Sequence, residues 1–312
     1  KHFLLEPYKY KMIRAIDFYS HFLKKVENAP NFEYVNASIS EIISNSTDNY
    51  INTSIGNFKA KLIFSSLPKN DKMNLKKYPL LNQSFIGWTI ETEEDVFDEK
   101  TMTLMDFNRN QKDETRFIYV LPFSSRKALV EYTLFSEKII SDQDYENGIK
   151  EYLNEKEIGN FKIIEKEKGN IPMTCFPFEK SNTNKLIYIG TAGGWTKPST
   201  GYTIKNAIDK SKEITSYIKS NKALEHFNKR NRFWYYDLIL LDVLKSTKGD
   251  GYKAFSYMFK RNNPIKILTF LDEKTTLFEE IPILLSVNKI PFIRALINRL
   301  AEIIDRIIRR PD

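Results

Sequence analysis

The chain of 312 residues has one cysteine, three histidines and no long hydrophobic run. The single cysteine, Cys175, excludes an internal disulfide framework and is typical of a reducing compartment. His2, His21 and His226 lack metal-ligand spacing, so the sequence predicts neither a metal site nor a histidine-based triad. No run approaches the roughly 18 apolar residues that a membrane-spanning helix needs, and there is no signal-peptide pattern. We therefore expect a cytoplasmic globular protein.

Charge is a weaker guide to partners. The formal net charge is +8, and lysines alternate with acidic residues, as in Glu165 to Lys168. Such mixtures are typical of a solvated surface. Zinc-finger spacing and RNA-recognition motifs are missing, so we do not expect nucleic acid as a partner. A mild positive excess also suits an anionic membrane surface, but charge alone does not decide.

The most informative segment is residues 189–204, with the sequence IGTAGGWTKPSTGYTI. An apolar run from Leu186 to Ile189 predicts a strand, and apolar residues at helical spacing after Thr203 predict a helix. A strand, a glycine turn, a Ser/Thr cap and a helix together direct backbone N–H groups at an anion. The same order also occurs as an ordinary strand-to-helix turn.

Residues 191–202 resemble the C-terminal flavin-binding segment of the lycopene cyclase family, which are FAD proteins. Other matches to that family follow the same order along the chain. They are Tyr8 to Arg14 with Asp17 to Tyr19, Gln83 to Trp88, Leu104 to Phe107, Phe117 to Pro122, Leu129 to Thr133 and Ile171 to Thr174. The resemblance covers essentially the whole chain, and the shared order makes it specific.

The resemblance implies an α/β fold. It consists of an FAD-binding three-layer domain of the glutathione-reductase or p-hydroxybenzoate-hydroxylase-like type, an antiparallel-sheet substrate domain and a helical C-terminus. Residues 1–82 and 181–220 are expected in the FAD-binding domain, 83–180 in the substrate domain and 221–312 in the helical region. The family has a G-x-G-x-x-G fingerprint in a first βαβ unit, which this sequence lacks, so we expect an N-terminally truncated chain.

Local patterns predict the individual elements. A short strand and then a helix are expected in 8–28, and short strands at 32–35, 39–43, 50–54 and 58–63. Strands at 85–92, 116–121 and 128–135 are assigned to the antiparallel sheet, with one helix at 144–153. From Ala223 onwards the pattern is helical.

The resemblance assigns the cofactor to the glycine segment. It implies reduced FAD, kept reduced by NAD(P)H, and a flavin that stabilises positive charge without net turnover. The cofactor-binding residues would be Gly190, Gly193, Gly194, Lys197, Pro198, Ser199, Thr200 and Gly201. Arg14 would lie beside the flavin or the substrate, and a surface salt bridge is the alternative for it.

The implied reaction is cyclisation of the linear ends of lycopene, or of another linear carotenoid, to β-ionone rings, through γ-carotene to β-carotene. A proton adds to the terminal double bond, the carbocation closes a six-membered ring, and a proton then leaves. The protein must supply an acid and an apolar pocket that stabilises a cation. A carboxyl group in apolar surroundings suits the first task, because desolvation raises its pKa.

Glu131 is the first candidate for the acid. It interrupts the apolar run from Ala128 to Phe135, and the matching family motif has the acidic residue regarded as the cyclisation acid. From the residues alone, a solvent-facing acid on an alternating strand is the alternative. Many family members have a second acid where Tyr132 stands, so a carboxylate pair is not assumed. Asp106 is the second candidate, with a turn-stabilising aspartate as its alternative.

Aromatic rings near the acid would stabilise the cation through their faces. Trp88, Trp195 and Tyr132 are the expected substrate-binding residues. Most other aromatic side chains are expected in the core.

The last helix carries a long apolar stripe. Its members are Phe292, Ile293, Leu296, Ile297, Leu300, Ile304, Ile307 and Ile308, with arginines at 294, 299, 306, 309 and 310 elsewhere and Pro311 at its end. Such a helix lies at a membrane surface or packs on its own domain. The expectation is therefore a peripheral membrane flavoprotein. The alternatives are an FAD-dependent oxidoreductase of the same fold, such as a prenyl reductase or hydroxylase, and a non-catalytic carotenoid-binding protein.

Overall fold

The computed structural model describes residues 2–6, 8–45, 47–68, 77–220, 222–227 and 230–308, and within them the protein is α/β. The strands are β1 (Ile39–Ser44), β2 (Asn49–Thr53), β3 (Gly56–Lys59), β4 (Ile63–Ser65), β5 (Leu80–Thr92), β6 (Thr103–Asp106), β7 (Thr115–Pro122), β8 (Lys127–Ser136), β9 (Phe161–Thr174) and β10 (Leu186–Tyr188). The helices are α1 (Ala15–Glu27), α2 (Asp142–Glu155), α3 (Ile204–Lys219), α4 (Arg232–Thr247), α5 (Tyr252–Arg261), α6 (Pro264–Leu271), α7 (Leu277–Ser286) and α8 (Lys289–Ile308).

The central element is a five-stranded antiparallel sheet in the order β6-β7-β8-β5-β9. The predicted runs 85–92, 116–121 and 128–135 lie within β5, β7 and β8, so these predictions are confirmed. Successive side chains alternate between the two faces of a sheet. One face packs against α2, where Trp88, Ile118 and Val130 form a buried core with Tyr145 and Ile149.

The chain also forms two small sheets. The first precedes the central sheet, and the second takes one strand from before the central sheet and one from after it. β1, β2 and β3 form an antiparallel meander, and β4 pairs in parallel with β10. The predicted run 58–63 is split, because β3 ends at Lys59 and β4 begins at Ile63. The parallel pair brings residues 63–65 beside 186–188, directly before the glycine segment.

Two parts of the secondary structure differ from expectation. Residues 8–14 and 32–35, which the structure describes throughout, form no strand. Tyr10 and residues 12–16 instead line a cavity. The charged stretch Glu165 to Lys168, expected as solvated surface, is exposed, and it belongs to the edge strand β9.

The C-terminal region is largely helical, as predicted. The side chain of Asn231 caps α4, and a capping box of Thr276 and Glu279 starts α7. Helix α4 packs on the sheet, with Leu241 and Leu244 in one core with Phe117 and Phe135. These contacts hold the four helices from α4 through α7 over the face of the sheet opposite α2.

Helix α8 packs on the protein mainly through residues outside its apolar stripe. Arg299 makes a two-pronged ion pair with Asp242 of α4 at 2.6 Å, and Ala295 is buried. Leu296 and Ile297 remain about half exposed, at 49% and 58%. The apolar stripe therefore faces mainly outward over 293–300. The side chains at 304, 306, 307 and 308, and residues 309–312, lie outside the described part.

Candidate active site

The face of the sheet opposite α2 forms one wall of a cavity of about 1170 Å³. Residues 10–16, the loop 199–202 and helices α4 to α8 contribute the other walls. Apolar side chains supply most of the lining, among them Phe85, Leu104, Phe117, Leu121, Leu129, Phe135, Leu240, Phe255, Leu268, Phe270, Ile283, Leu284 and Phe292. A cavity of this size and lining suits a long apolar ligand.

Glu131 points into this cavity from the middle of β8. Its carboxylate accepts a hydrogen bond from the hydroxyl of Thr133, two residues along the same face. Burial raises the pKa of Glu131 to about 7, although the Thr133 hydrogen bond acts to lower it, and the charge of Glu167 adds to the rise. A carboxyl group with this pKa is protonated in a substantial fraction of molecules at neutral pH, as a general acid requires.

A hydrogen-bonded pair of tyrosines, Tyr119 of β7 and Tyr10 of the N-terminal segment, lies beside Glu131. Tyr119 is the direct neighbour of Glu131 across β7 and β8, and its hydroxyl donates to the hydroxyl of Tyr10 at 3.1 Å. Burial, this hydrogen bond and the charge of Glu131 raise the pKa of Tyr119, so its hydroxyl remains neutral. Sequence reasoning did not select Tyr119, although it lies in one of the family-like segments.

The glycine segment forms a tight turn after β10. Gly190 and Gly194 have positive φ angles of 58° and 70°, and Gly201 has 73°. At Gly193 a Cβ atom would lie 2.1 Å from the backbone oxygen of Tyr188, so the turn itself requires this glycine. Helix α3 begins only at Ile204. The glycines thus shape the turn, and residues 199–202 reach the cavity.

Lys197 has a different environment from the one expected of a cofactor ligand. It is buried, and its ammonium group donates to Asp237 at 3.0 Å and to Glu273 at 2.9 Å. Its charge is therefore already paired, and it ties the loop to α4. Of the predicted cofactor-binding residues, Ser199, Thr200, Gly201 and Arg14 line the cavity. Arg14 is exposed and paired with Asp17 at 2.8 Å.

The predicted substrate-binding aromatics do not line the cavity. Trp88 and Tyr132 are buried in the core under α2, on the opposite face of the sheet from Glu131. Trp195 is buried with Ile187 and Ile214 in a separate core. Packing rather than ligand contact accounts for all three side chains.

Asp106 also lies away from the cavity. It accepts a hydrogen bond from the backbone N–H of Asn108 at 3.0 Å, and Lys156 lies 3.9 Å from it. This geometry matches the turn-stabilising alternative. Its neighbours Leu104 and Met105 do reach the cavity.

The sequence matches the family model described as lycopene cyclase protein over residues 2–297. The chain therefore belongs to the lycopene cyclase family. The lycopene beta-cyclase of Paracoccus sp. (strain N81106 / MBIC 01143) is 28% identical over 129 residues, or 40% of this chain and 33% of that protein. The match thus spans about a third of this curated relative.

Solved structures give weaker similarities. A geranylgeranyl bacteriochlorophyll reductase-like protein from Thermoplasma acidophilum is 13% identical, with 93% of this chain and 73% of that chain covered and a TM-score of 0.49. A flavin-dependent brominase is 14% identical, with 94% and 76% covered and a TM-score of 0.48. Both scores are below 0.5, so neither structure determines the fold or activity of this chain.

Proposed function

We propose that this chain is the acid-bearing part of a lycopene β-cyclase that closes β-ionone rings at the ends of a linear carotenoid. The observation that carries the proposal is Glu131, a carboxyl group with a raised pKa in a large apolar cavity. Family membership supplies the substrate class. The reaction is an isomerisation, in which one proton is added and one is lost.

Glu131 is the proposed acid. Its O–H bond breaks as a C–H bond forms at the terminal double bond of the polyene. The resulting cation is attacked by a nearby double bond of the same chain. Phe85 and Phe117 line the cavity, and their ring faces are suited to stabilise that cation by about 0.5–2 kcal/mol each. The apolar walls limit the contact of water with the cation, which water would otherwise trap.

FAD fits this proposal at the loop 199–202. Gly201 has a left-handed conformation and lies at the cavity wall beside Ser199 and Thr200, and Arg14 approaches from the N-terminal segment. These four residues would hold the flavin in an FAD-binding domain built around β4 and β10. Reduced FAD, maintained by NAD(P)H, would supply electron density that stabilises positive charge.

Membrane association is also part of the proposal, because lycopene is dissolved in lipid. No helix in the described part of the chain has the length and hydropathy needed to cross a bilayer. Helices α7 and α8, which contribute Ile283, Leu284 and Phe292 to the cavity wall, nevertheless expose other apolar side chains. They include Leu277, Phe278, Ile281, Leu285, Ile290, Ile293, Leu296, Ile297 and Leu300. This exposed surface, here called the α7–α8 face, is suited to lie in a membrane interface.

Expression of the complete gene in a lycopene-accumulating host tests the function. We expect β-carotene from the wild type, reduced amounts from Glu131→Asp, and very little from Glu131→Gln at equal protein levels. Glu91→Gln, an exposed carboxyl of β5, is the matched control and is expected to keep full activity.

Two outcomes would overturn the proposal. Wild-type pigment from Glu131→Gln would remove Glu131 as the acid. Consumption of NAD(P)H in proportion to product would indicate an oxidoreductase instead of a cyclase.

A further inference from the structure

Glu131 has a partner on the same row of the sheet. The register pairs Gly87 of β5 with Glu131 of β8 on one side and with Glu167 of β9 on the other. Directly paired residues of an antiparallel sheet point to the same face. Glu131, Gly87 and Glu167 therefore form one row on the cavity face. The residue between the two acids has no side chain of its own, and a methyl group of Leu129 reaches over it from β8.

The side chains of Glu167 and Leu129 together fill the space above Gly87. A Cβ atom on Gly87 would lie 2.9 Å from Cδ1 of Leu129, 3.0 Å from Cγ of Glu167 and 3.1 Å from Oε1 of Glu167. Glu167 is on an edge strand and its residue is exposed, yet its carboxylate leans inward along the row. Its position is therefore at the mouth of the cavity, with solvent on one side and Glu131 on the other.

The neighbouring lysines of β9 point the other way. Lys166 and Lys168 bind Glu146 and Asp142 of α2, at 2.5 and 2.7 Å, on the opposite face of the sheet. Neither ammonium group neutralises Glu167 on the cavity side. Burial and the charge of Glu165 raise the pKa of Glu167, and the charge of Glu167 in turn raises the pKa of Glu131.

Other charged and titratable groups line the same cavity. They are Tyr10, Arg14, Tyr119, Lys127, Glu165, Tyr202, Tyr236 and Asp237. Arg14 is paired with Asp17, and Asp237 with Lys197, so these charges are compensated locally. Glu165 pairs with Thr89, one row away from Glu131.

We infer that Glu131 and Glu167 share a proton across Gly87, and that Glu167 passes a proton from solvent to Glu131 after each ring closure. This inference rests on the proposed function. Glu131 loses its proton to the polyene, and an O–H bond of Glu167 breaks as that of Glu131 re-forms. Glu167 then takes a proton from water, while the ring cation releases one to solvent, so the cycle consumes none. Glu167 acts through Glu131 and is a positioning residue.

The direct test is an infrared titration of the protonated carboxyl band in the full-length protein without substrate, with Glu131→Gln to assign the band. Glu167→Gln removes the neighbouring charge, so we expect the pKa of Glu131 to fall by about 0.5–1 unit. Glu167→Asp is expected to preserve most of the wild-type value. Glu91→Gln, an exposed carboxyl on the same face of β5 but two rows away, is the matched control and should leave it unchanged.

Gly87→Ala gives a second variant that keeps both acids. Its methyl group would displace the side chains of both Leu129 and Glu167. The Glu167 carboxylate would then lie farther from Glu131, so the pKa of Glu131 should fall as in Glu167→Gln. In cyclisation assays, the upper pH limit of activity should move to lower pH by the same amount in both variants. Equal titration curves for Glu131 in wild type, Glu167→Gln and Glu91→Gln would overturn the inference. A shifted titration with no ring formation by any variant, wild type included, would leave the coupling intact and overturn the proposed function instead.

Discussion

The ammonium group of Lys197 lies 3.0 Å from the carboxylate of Asp237, and both side chains are buried. Lys197 belongs to the loop that follows the glycine turn, whereas Asp237 belongs to α4 and lines the cavity. The ion pair therefore connects the proposed flavin-binding loop to the helices that line the cavity. Glu273, between α6 and α7, provides a second partner for Lys197.

Removal of one member of this pair should destabilise the fold. Lys197→Met would leave the Asp237 charge buried without its partner, which we expect to lower the free energy of unfolding by about 3–5 kcal/mol. Lys197→Met combined with Asp237→Leu should recover much of that loss, because no isolated buried charge remains. Urea unfolding followed by circular dichroism measures both values.

Lys210→Met is the control for the loss of a lysine. Lys210 pairs with Glu213 at 2.9 Å on the outer surface of α3, where an ion pair contributes about 0–1 kcal/mol. Equal destabilisation by Lys197→Met and Lys210→Met would contradict a structural role for the buried pair.

The raised pKa of Glu131 should also make the free energy of unfolding depend on pH. Its pKa is about 7 in the folded protein, whereas the ordinary value is 4.5. The folded state therefore binds the proton more tightly, and this contribution to stability, complete below about pH 4.5, is lost as pH rises through about 7. Glu131→Gln abolishes the effect, so the variant should gain stability relative to wild type between these limits, by up to about 3 kcal/mol.

Unfolding free energies at about pH 5 and about pH 8 provide the measurement. Glu91→Gln should follow the wild type at both pH values, because Glu91 is exposed. If Glu131→Gln and wild type differed by the same amount at both pH values, Glu131 would have an ordinary pKa.

Much of the central sheet and the position of Glu131 could be predicted from the sequence. Beta-branched and aromatic runs identified β5, β7 and β8, and the resemblance selected Glu131, which the structure places in the cavity. The alternation of side chains on a strand also carries information that was not used. Tyr132 is adjacent to Glu131 on β8, so the two residues had to point to opposite faces. Tyr132 could have been excluded from the cavity on that ground alone.

The same reasoning applies to the charged part of β9. In Glu165-Lys166-Glu167-Lys168 the signs alternate with the period of a strand, which places the acids on one face and the lysines on the other. Composition suggested a solvated surface because the charges balance. Pairing with β5 could not be predicted, since the register depends on long-range contacts between Gly87 and Glu167 that no local pattern encodes. The place of Asp237 at the cavity likewise depends on the packing of α4.

The α7–α8 face makes the membrane proposal testable without any assay of catalysis. Phe278 is 86% exposed, so Phe278→Asp removes apolar surface from the outside of the fold and should change stability by less than about 0.5 kcal/mol. We expect the full-length wild type to sediment with vesicles containing anionic phosphatidylglycerol, and Phe278→Asp to bind at least several-fold more weakly. Ile55→Asp also replaces an exposed apolar side chain by aspartate, but at the β2–β3 turn. It is the control and should bind like wild type. Unchanged vesicle binding by Phe278→Asp, or equal losses for both variants, would show that this face does not contact lipid. The substrate would then have to enter the cavity by another route.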